Sequence, residues 1–187
     1  MFVNGMNARA APRDPLAGRL ASGDPKAPRE LVERHHAELY RYARFLLGAG
    51  PAEDAVQETF ARAFGALGRY PEERIRGLAL RPWLYRILLN VARNHRRDGR
   101  WESPVAAVPE RADGQAVSPE ARLDALAALG ALPERQRAAV ALRYLQDLPY
   151  AEVSAATGWP EATCRTLVRR GLARLAALLE VEKDGGS

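Results

Sequence analysis

Apolar residues recur at helical spacing through both halves of this chain, and the recurrence stops for twenty residues between them, over DGRWESPVAAVPERADGQAV at 98–117. A stripe with a 3.6-residue period can only be buried against similar stripes, so each half must form its own helical bundle. No period-two alternation of any length appears in either half, and the fold expected is all-α, two small helical domains joined by a flexible linker. The 187 residues suit two such domains. The break, with its Gly, Pro and mixed charges, extends to at most ~66 Å or averages roughly 25 Å if flexible, enough for the domains to touch separated sites on one partner. The expected division is a flexible tail at 1–27, a first domain at 28–97, the linker at 98–117, a second domain at 118–182 and a short tail at 183–187.

In the first domain, Val32, His35, Leu39, Tyr42, Ala43 and Leu46 share one helical face, with Gly48 and Gly50 as the stop. Pro51 opens a second helix whose inward stripe is Val56, Phe60, Ala63, Phe64 and Leu67. After a polar loop at Gly68–Leu80, a third helix at 81–97 buries Leu84, Ile87, Leu88 and Val91. In the second domain Ser118–Pro119, Pro133, Pro149 and Pro160 each open a helix, giving four at 119–129, 133–146, 149–157 and 160–180.

Charge separates the faces that remain. Residues 81–100 hold six Arg against one Asp, a balance equal to the formal +5 of the whole chain. Arg86, Asn90, Arg93 and Arg97 fall within roughly 60° of one another at about 100° per residue, with Asn94 and Arg96 close by. A pI near 9.8 and such a face suit a polyanion. The second helix is the reverse: Asp54, Glu58, Ala61 and Gly65 oppose its apolar stripe, with Gln57 and Arg62 at the borders. A solvated face is the plainer reading of that helix. Pro149–Leu179 reads as helix, tight turn at Gly158 and helix. Cys164, Leu167, Val168, Gly171, Leu172, Leu175, Leu178 and Leu179 take the buried stripe, leaving Arg165, Thr166, Arg169 and Arg170 outside. Arg and Thr near the start of a second helix suit base edges and phosphates. Only Glu161 offsets them, which favours nucleic acid over an ordinary solvated helix.

Other classes find little support. There is no Gly-rich phosphate loop, no nucleophile beside a base and no paired-acid cleft, so the chain is not expected to be an enzyme or to need a cofactor. Cys164, the single cysteine, allows no internal disulfide, and with His35, His36 and His95 it forms no close ligand set. Packing is its expected role, a redox role the alternative. No apolar run reaches the ~18 to 20 residues of a membrane span, and the first thirty residues lack an export core; a cytoplasmic protein without membrane insertion is expected.

AEDAVQETFARAF, RPWLYRILLNVARNHRR and LPERQRAAVALRYLQDLPYAEVSAATGWPEATCRTLVRRGLARL, in that order, resemble the extracytoplasmic-function (ECF) group of bacterial sigma factors over about 28–180. The resemblance implies an alternative sigma factor that binds core RNA polymerase and directs initiation at promoter DNA, with sigma region 2 at 28–97 and region 4 at 118–182. It implies polymerase contact through Asp54, Gln57, Glu58 and Arg62, and −10 contact through Arg86, Asn90, Arg93, Asn94, Arg96 and Arg97. Readout of −35 falls to Arg165, Thr166, Arg169 and Arg170, and capture of an unstacked base to the loop at 68–80. Trp83 either packs or stacks on a base. An anti-sigma partner is also implied. Leu167 and Leu172, where basic residues are common, and Trp159, where a smaller aliphatic is usual, depart from the pattern. A stand-alone helix-turn-helix regulator and an adaptor without promoter function are the alternatives.

Overall fold

The computed structural model describes residues 14–97 and 128–184, and among them every regular element is a helix. The first described helix begins earlier than the apolar spacing suggests. α1 (Pro15–Ala21) is capped by the Asp14 carboxylate, which accepts from Leu16 N–H at 3.0 Å, and it buries Leu16, Ala17 and Ala21. Two turns are too short for a period to show, yet this helix packs on the helices at Ala27–Leu47 and Glu72–Arg76, and Arg19 binds Asp24 at 2.7 Å and also Glu30. The expected flexible tail therefore does not extend over 15–27.

α2 (Ala27–Leu47) buries Leu31, His35, Leu39, Tyr42, Ala43 and Leu46. Gly48, at φ 84°, takes a left-handed turn that lets α3 (Ala49–Leu67) begin at once, so Gly50 and Pro51 lie inside its first turn, where missing N–H donors cost little. The loop at 68–80 is partly helical: α4 (Glu72–Arg76) inserts Ile75 into the domain. α5 (Leu80–Arg97) buries Leu84, Leu88 and Val91 as the spacing requires, with Ile87 half-buried. It also buries Tyr85 and Ala92, on a side that faces the second domain.

Of the helix expected at 119–129, only the end, at 128–130, lies within the described residues. α6 (Glu134–Val140) passes into a π-helical turn, Ala141–Leu145, in which Gln146 N–H donates to the Ala141 carbonyl at 3.1 Å. α7 (Tyr150–Thr157) and α8 (Glu161–Asp184) complete the domain; Lys183 is thus helical rather than part of a tail. Pro133, Pro149 and Pro160 precede α6, α7 and α8, and each carbonyl accepts an opening helical bond, from Arg137, Val153 and Cys164 at 2.9 to 3.0 Å. Leu172 departs from its expected burial, standing 38% exposed. It lies roughly 80° around the helix from Cys164, whereas Val168, Gly171 and Leu175 fall within about 40°.

The two domains touch. α7 packs on α5, Tyr42 Oη of α2 donates to the Ala138 carbonyl of α6 at 3.4 Å, and one continuous buried cluster contains residues of both domains.

Candidate polymerase and promoter interfaces

α3 turns its apolar stripe inward, which leaves Asp54 and Gln57 exposed on the other side. Gln57 Nε2 donates to Glu53 at 3.3 Å. Glu58 is engaged differently: His95 Nε2 of α5 binds it closely, and Arg62 lies 2.6 Å from its second oxygen. Burial alone would raise the Glu58 carboxyl, but the hydrogen bonds from His95 and Arg62 hold it below the usual carboxylate range. Of the four residues singled out on this face, Asp54 and Gln57 present exposed polar surface, and Glu58 and Arg62 are tied into a clasp between α3 and α5.

α5 sets Asn90, Arg93 and Arg97 in solvent, while Asn94 and Arg86 are half-buried; the Arg96 side chain lies outside the described residues. Arg93 donates to Asn90 Oδ1 at 3.1 Å, so the two form one polar unit. Arg86 reaches the second domain: a Cβ placed on Gly158 would lie 2.9 Å from its guanidinium. Arg93 borders a cleft of ≈ 270 Å³ with Leu89, Glu134, Arg135 and Trp159. Before α5, the Arg74 guanidinium lies 3.6 Å from the centroid of the Tyr70 ring, which tilts against Trp83 at 6.4 Å. Trp83 is half-buried, so it packs while keeping part of its ring accessible.

The helix-turn-helix is fixed by its turn. Gly158 adopts φ 77°, its N–H donates to the Ser154 carbonyl at 2.8 Å, and Ser154 Oγ donates to the Trp159 carbonyl at 2.6 Å. α8 then seats Cys164 and Val168 in the core and turns Arg165, Arg169 and Arg170 outward. Arg165 pairs with Glu161 and stacks over Tyr150 at 4.5 Å. Thr166 donates back to the Ala162 carbonyl at 3.0 Å. Arg169 and Arg170 have no ion pair among the described residues. Sequence reasoning passed over Arg143, which lies 5.5 Å from the Tyr150 ring, and Arg135, 4.7 Å from the Trp159 ring. The available signal was the run of Arg135, Arg137 and Arg143 followed by Tyr144, Tyr150 and Trp159 within one small domain. Burial raises the Cys164 thiol above its ordinary range, which fits packing. Among the described residues, no group of three His, Cys, Asp or Glu is placed to hold a metal ion, and no helix is long and apolar enough to cross a membrane.

An acidic helix, a basic helix and a helix-turn-helix follow one another in this order along the chain, and the same stretches match known families. Residues 31–102 match the sigma-70 region 2 family and 122–175 match sigma-70 region 4. The ECF RNA polymerase sigma factor SigC of Mycobacterium tuberculosis is 32% identical over 174 residues, covering 90% of this chain and 91% of that protein. Among solved structures, CnrH in complex with the cytosolic domain of CnrY has a TM-score of 0.67 at 29% identity, covering 89% of this chain and 96% of that one. The sigma factor RpoE in complex with the anti-sigma factor NepR from Bartonella quintana has a TM-score of 0.64 at 26% identity, covering 83% and 98%. The chain belongs to the ECF sigma factors of bacterial RNA polymerase, and is an alternative sigma factor.

Proposed function

We propose that this chain binds core RNA polymerase through the outer face of α3, reads the −10 element with α5 and the loop before it, and reads the −35 element with α8. The observation that carries the −35 assignment is the outward set of Arg169 and Arg170, without acid partners, on the second helix of a closed helix-turn-helix. Arg165 joins them after releasing Glu161, a small loss because exposed ion pairs contribute ~0 to 1 kcal/mol. Thr166, bonded to its own helix, offers a methyl and a hydroxyl lone pair. On α5, Asn90, Arg93, Asn94, Arg96 and Arg97 are assigned to DNA together with Arg86. Tyr70, Arg74 and Trp83 make a stacking platform suited to an unpaired base.

On α3, Asp54 and Gln57 make direct polymerase contacts; Glu58 and Arg62 shape that face through their clasp with His95. The protein acts in the cytoplasm as a recognition subunit rather than a catalyst. The sigma–anti-sigma pair among the structural relatives supports an anti-sigma partner for this chain too. Run-off transcription with purified core polymerase on a promoter library is the test. Transcripts that depend on the added protein are expected. Failure to bind core, with dimeric binding to DNA alone, would replace this reading by a stand-alone regulator, and core binding without transcripts would favour the adaptor.

A further inference from the structure

The loop that carries the proposed stacking platform is held by a helix that no −10 or polymerase assignment uses. α4 has five residues, too few to be stable without packing, and Ile75 is its one buried side chain. Among the described helices, its principal neighbour is α1. Ile75 lies outside the buried cluster that unites the domains, whereas Leu16 and Ala17 of α1 belong to that cluster. α1 thus joins α4 to the core.

α1 is in turn fixed to α2 at both ends. Asp14, which caps its first turn, accepts from Arg34 at 3.2 Å, and Arg19 binds Glu30 while its Nε donates to Asp24 at 2.7 Å. Asp24 also accepts from Lys26 N–H at 2.9 Å, so the turn between the two helices closes on the same guanidinium. α4 carries Arg74, whose guanidinium covers the Tyr70 ring, and Tyr70 leans on Trp83. We propose that α1 is a brace for base capture: Arg19 and Ile75 are positioning residues that hold Arg74 and Tyr70 in place for the unpaired −10 base. α1 precedes the stretch 31–102 that matches region 2. This rests on assigning the loop at 68–80 to that base, and adds what sets the loop's geometry.

A loop that holds its platform in only about one molecule in five captures a base about fivefold more weakly than one always in place. The test compares the full-length protein with Arg19→Gln, which removes the charge without opening the apolar core, with Ile75→Ala, and with Ile75→Val, which keeps most of the buried side chain. Circular dichroism checks each fold, and hydrogen–deuterium exchange reports order at 70–78. With core polymerase bound, run-off transcription across single-base variants of the −10 element reports base discrimination, while anisotropy on a −35 duplex reports α8. Arg19→Gln and Ile75→Ala should speed exchange at 70–78 and cut discrimination about three- to fivefold, with −35 binding unchanged. Ile75→Val should lose much less. Unchanged exchange at 70–78 in both variants would overturn the brace, as would faster exchange with full discrimination or an equal loss at −35. Tyr70→Ala tests the underlying assignment separately. If it keeps full discrimination the platform reading falls, while the exchange comparison still decides whether α1 braces the loop.

Discussion

Arg169 is the single side chain on which the proposed −35 readout is most directly tested. It is exposed, projects from the first three turns of α8, and has no ion pair among the described residues to break before binding. A bidentate contact to guanine contributes ~1 to 3 kcal/mol of discrimination, so Arg169→Ala should weaken −35 binding by that amount and relax preference at one base position. Competition assays over single-base variants of the −35 element measure both effects; unchanged selectivity would remove Arg169 from the readout set. Glu38 makes a prediction about stability. Burial would raise its carboxyl, but the hydrogen bond from His35 and the charge of Arg81 hold it below the usual range. A carboxylate depressed on folding contributes stability that is complete above the ordinary glutamate value near 4.5 and lost as pH falls towards the folded value. Glu38→Gln should therefore flatten the decline of Tm on acidification below about pH 4.5 while lowering Tm at neutral pH. At this scale the sequence was informative about chemistry and less so about partners. The charge of Glu58 was legible, but its clasp with His95 joins residues 37 positions apart, and no spacing rule on one helix reveals such a pair.

Among elements, α8 depends on close approach to α6. A Cβ on Gly171 would lie 2.6 Å from a γ-methyl of Val140 and 3.6 Å from Leu132 and Gln136, so something must move if any side chain is added. Gly→Ala inside a helix ordinarily gains about 1 kcal/mol. Overpacking a fixed contact costs about 1 to 3 kcal/mol, and the packing term should win. Gly171→Ala should lower the unfolding free energy, and adding Val140→Ala should recover part of the loss, a coupling that a double-mutant cycle in urea would expose. A fully additive cycle would show that the two positions do not meet. The long helices were legible because α2, α3, α5 and α8 each repeat their stripe over four or more turns. α1 and α4 were not, since elements of seven and five residues hold too few repeats to separate from loop. The π turn escaped for a different reason: Ala141–Leu145 has ordinary helical composition, and its changed hydrogen bonding follows from where Gln146 and Leu148 find partners.

At the scale of the whole molecule, the partition into two domains was legible and their contact was not. Tyr85 and Ala92 lie on a second stripe of α5, seven residues apart: Tyr85 meets Tyr42 of α2 edge-on and bonds Gln146 of the second domain, and Ala92 borders the cleft lined by Glu134 and Ala138. Without the second domain, that stripe reads as the border of a polar face. Charge is likewise organised over the whole chain. Acid accumulates on α3, which holds Glu53, Asp54 and Glu58 against Arg62 alone, while α5 and the outer face of α8 carry arginine. One protein can in this way present opposite signs to polymerase and to DNA, and a reversal of sign on one face should leave the other intact. Asp54 is the position to reverse: it is exposed, and it lies outside the Glu58, Arg62 and His95 clasp, so substitution there should not disturb the fold. Asp54→Lys should weaken core binding and slow association most at low ionic strength, where long-range attraction is least screened. Binding of the isolated protein to −35 duplex should be unchanged or slightly tighter, because the added positive charge favours DNA. Surface plasmon resonance against core polymerase, set beside anisotropy on the duplex, separates the two effects. Equal loss on both would mean that the variant is misfolded or that α3 is no specialised contact. Loss on polymerase alone would establish its outer face as the polymerase-binding surface.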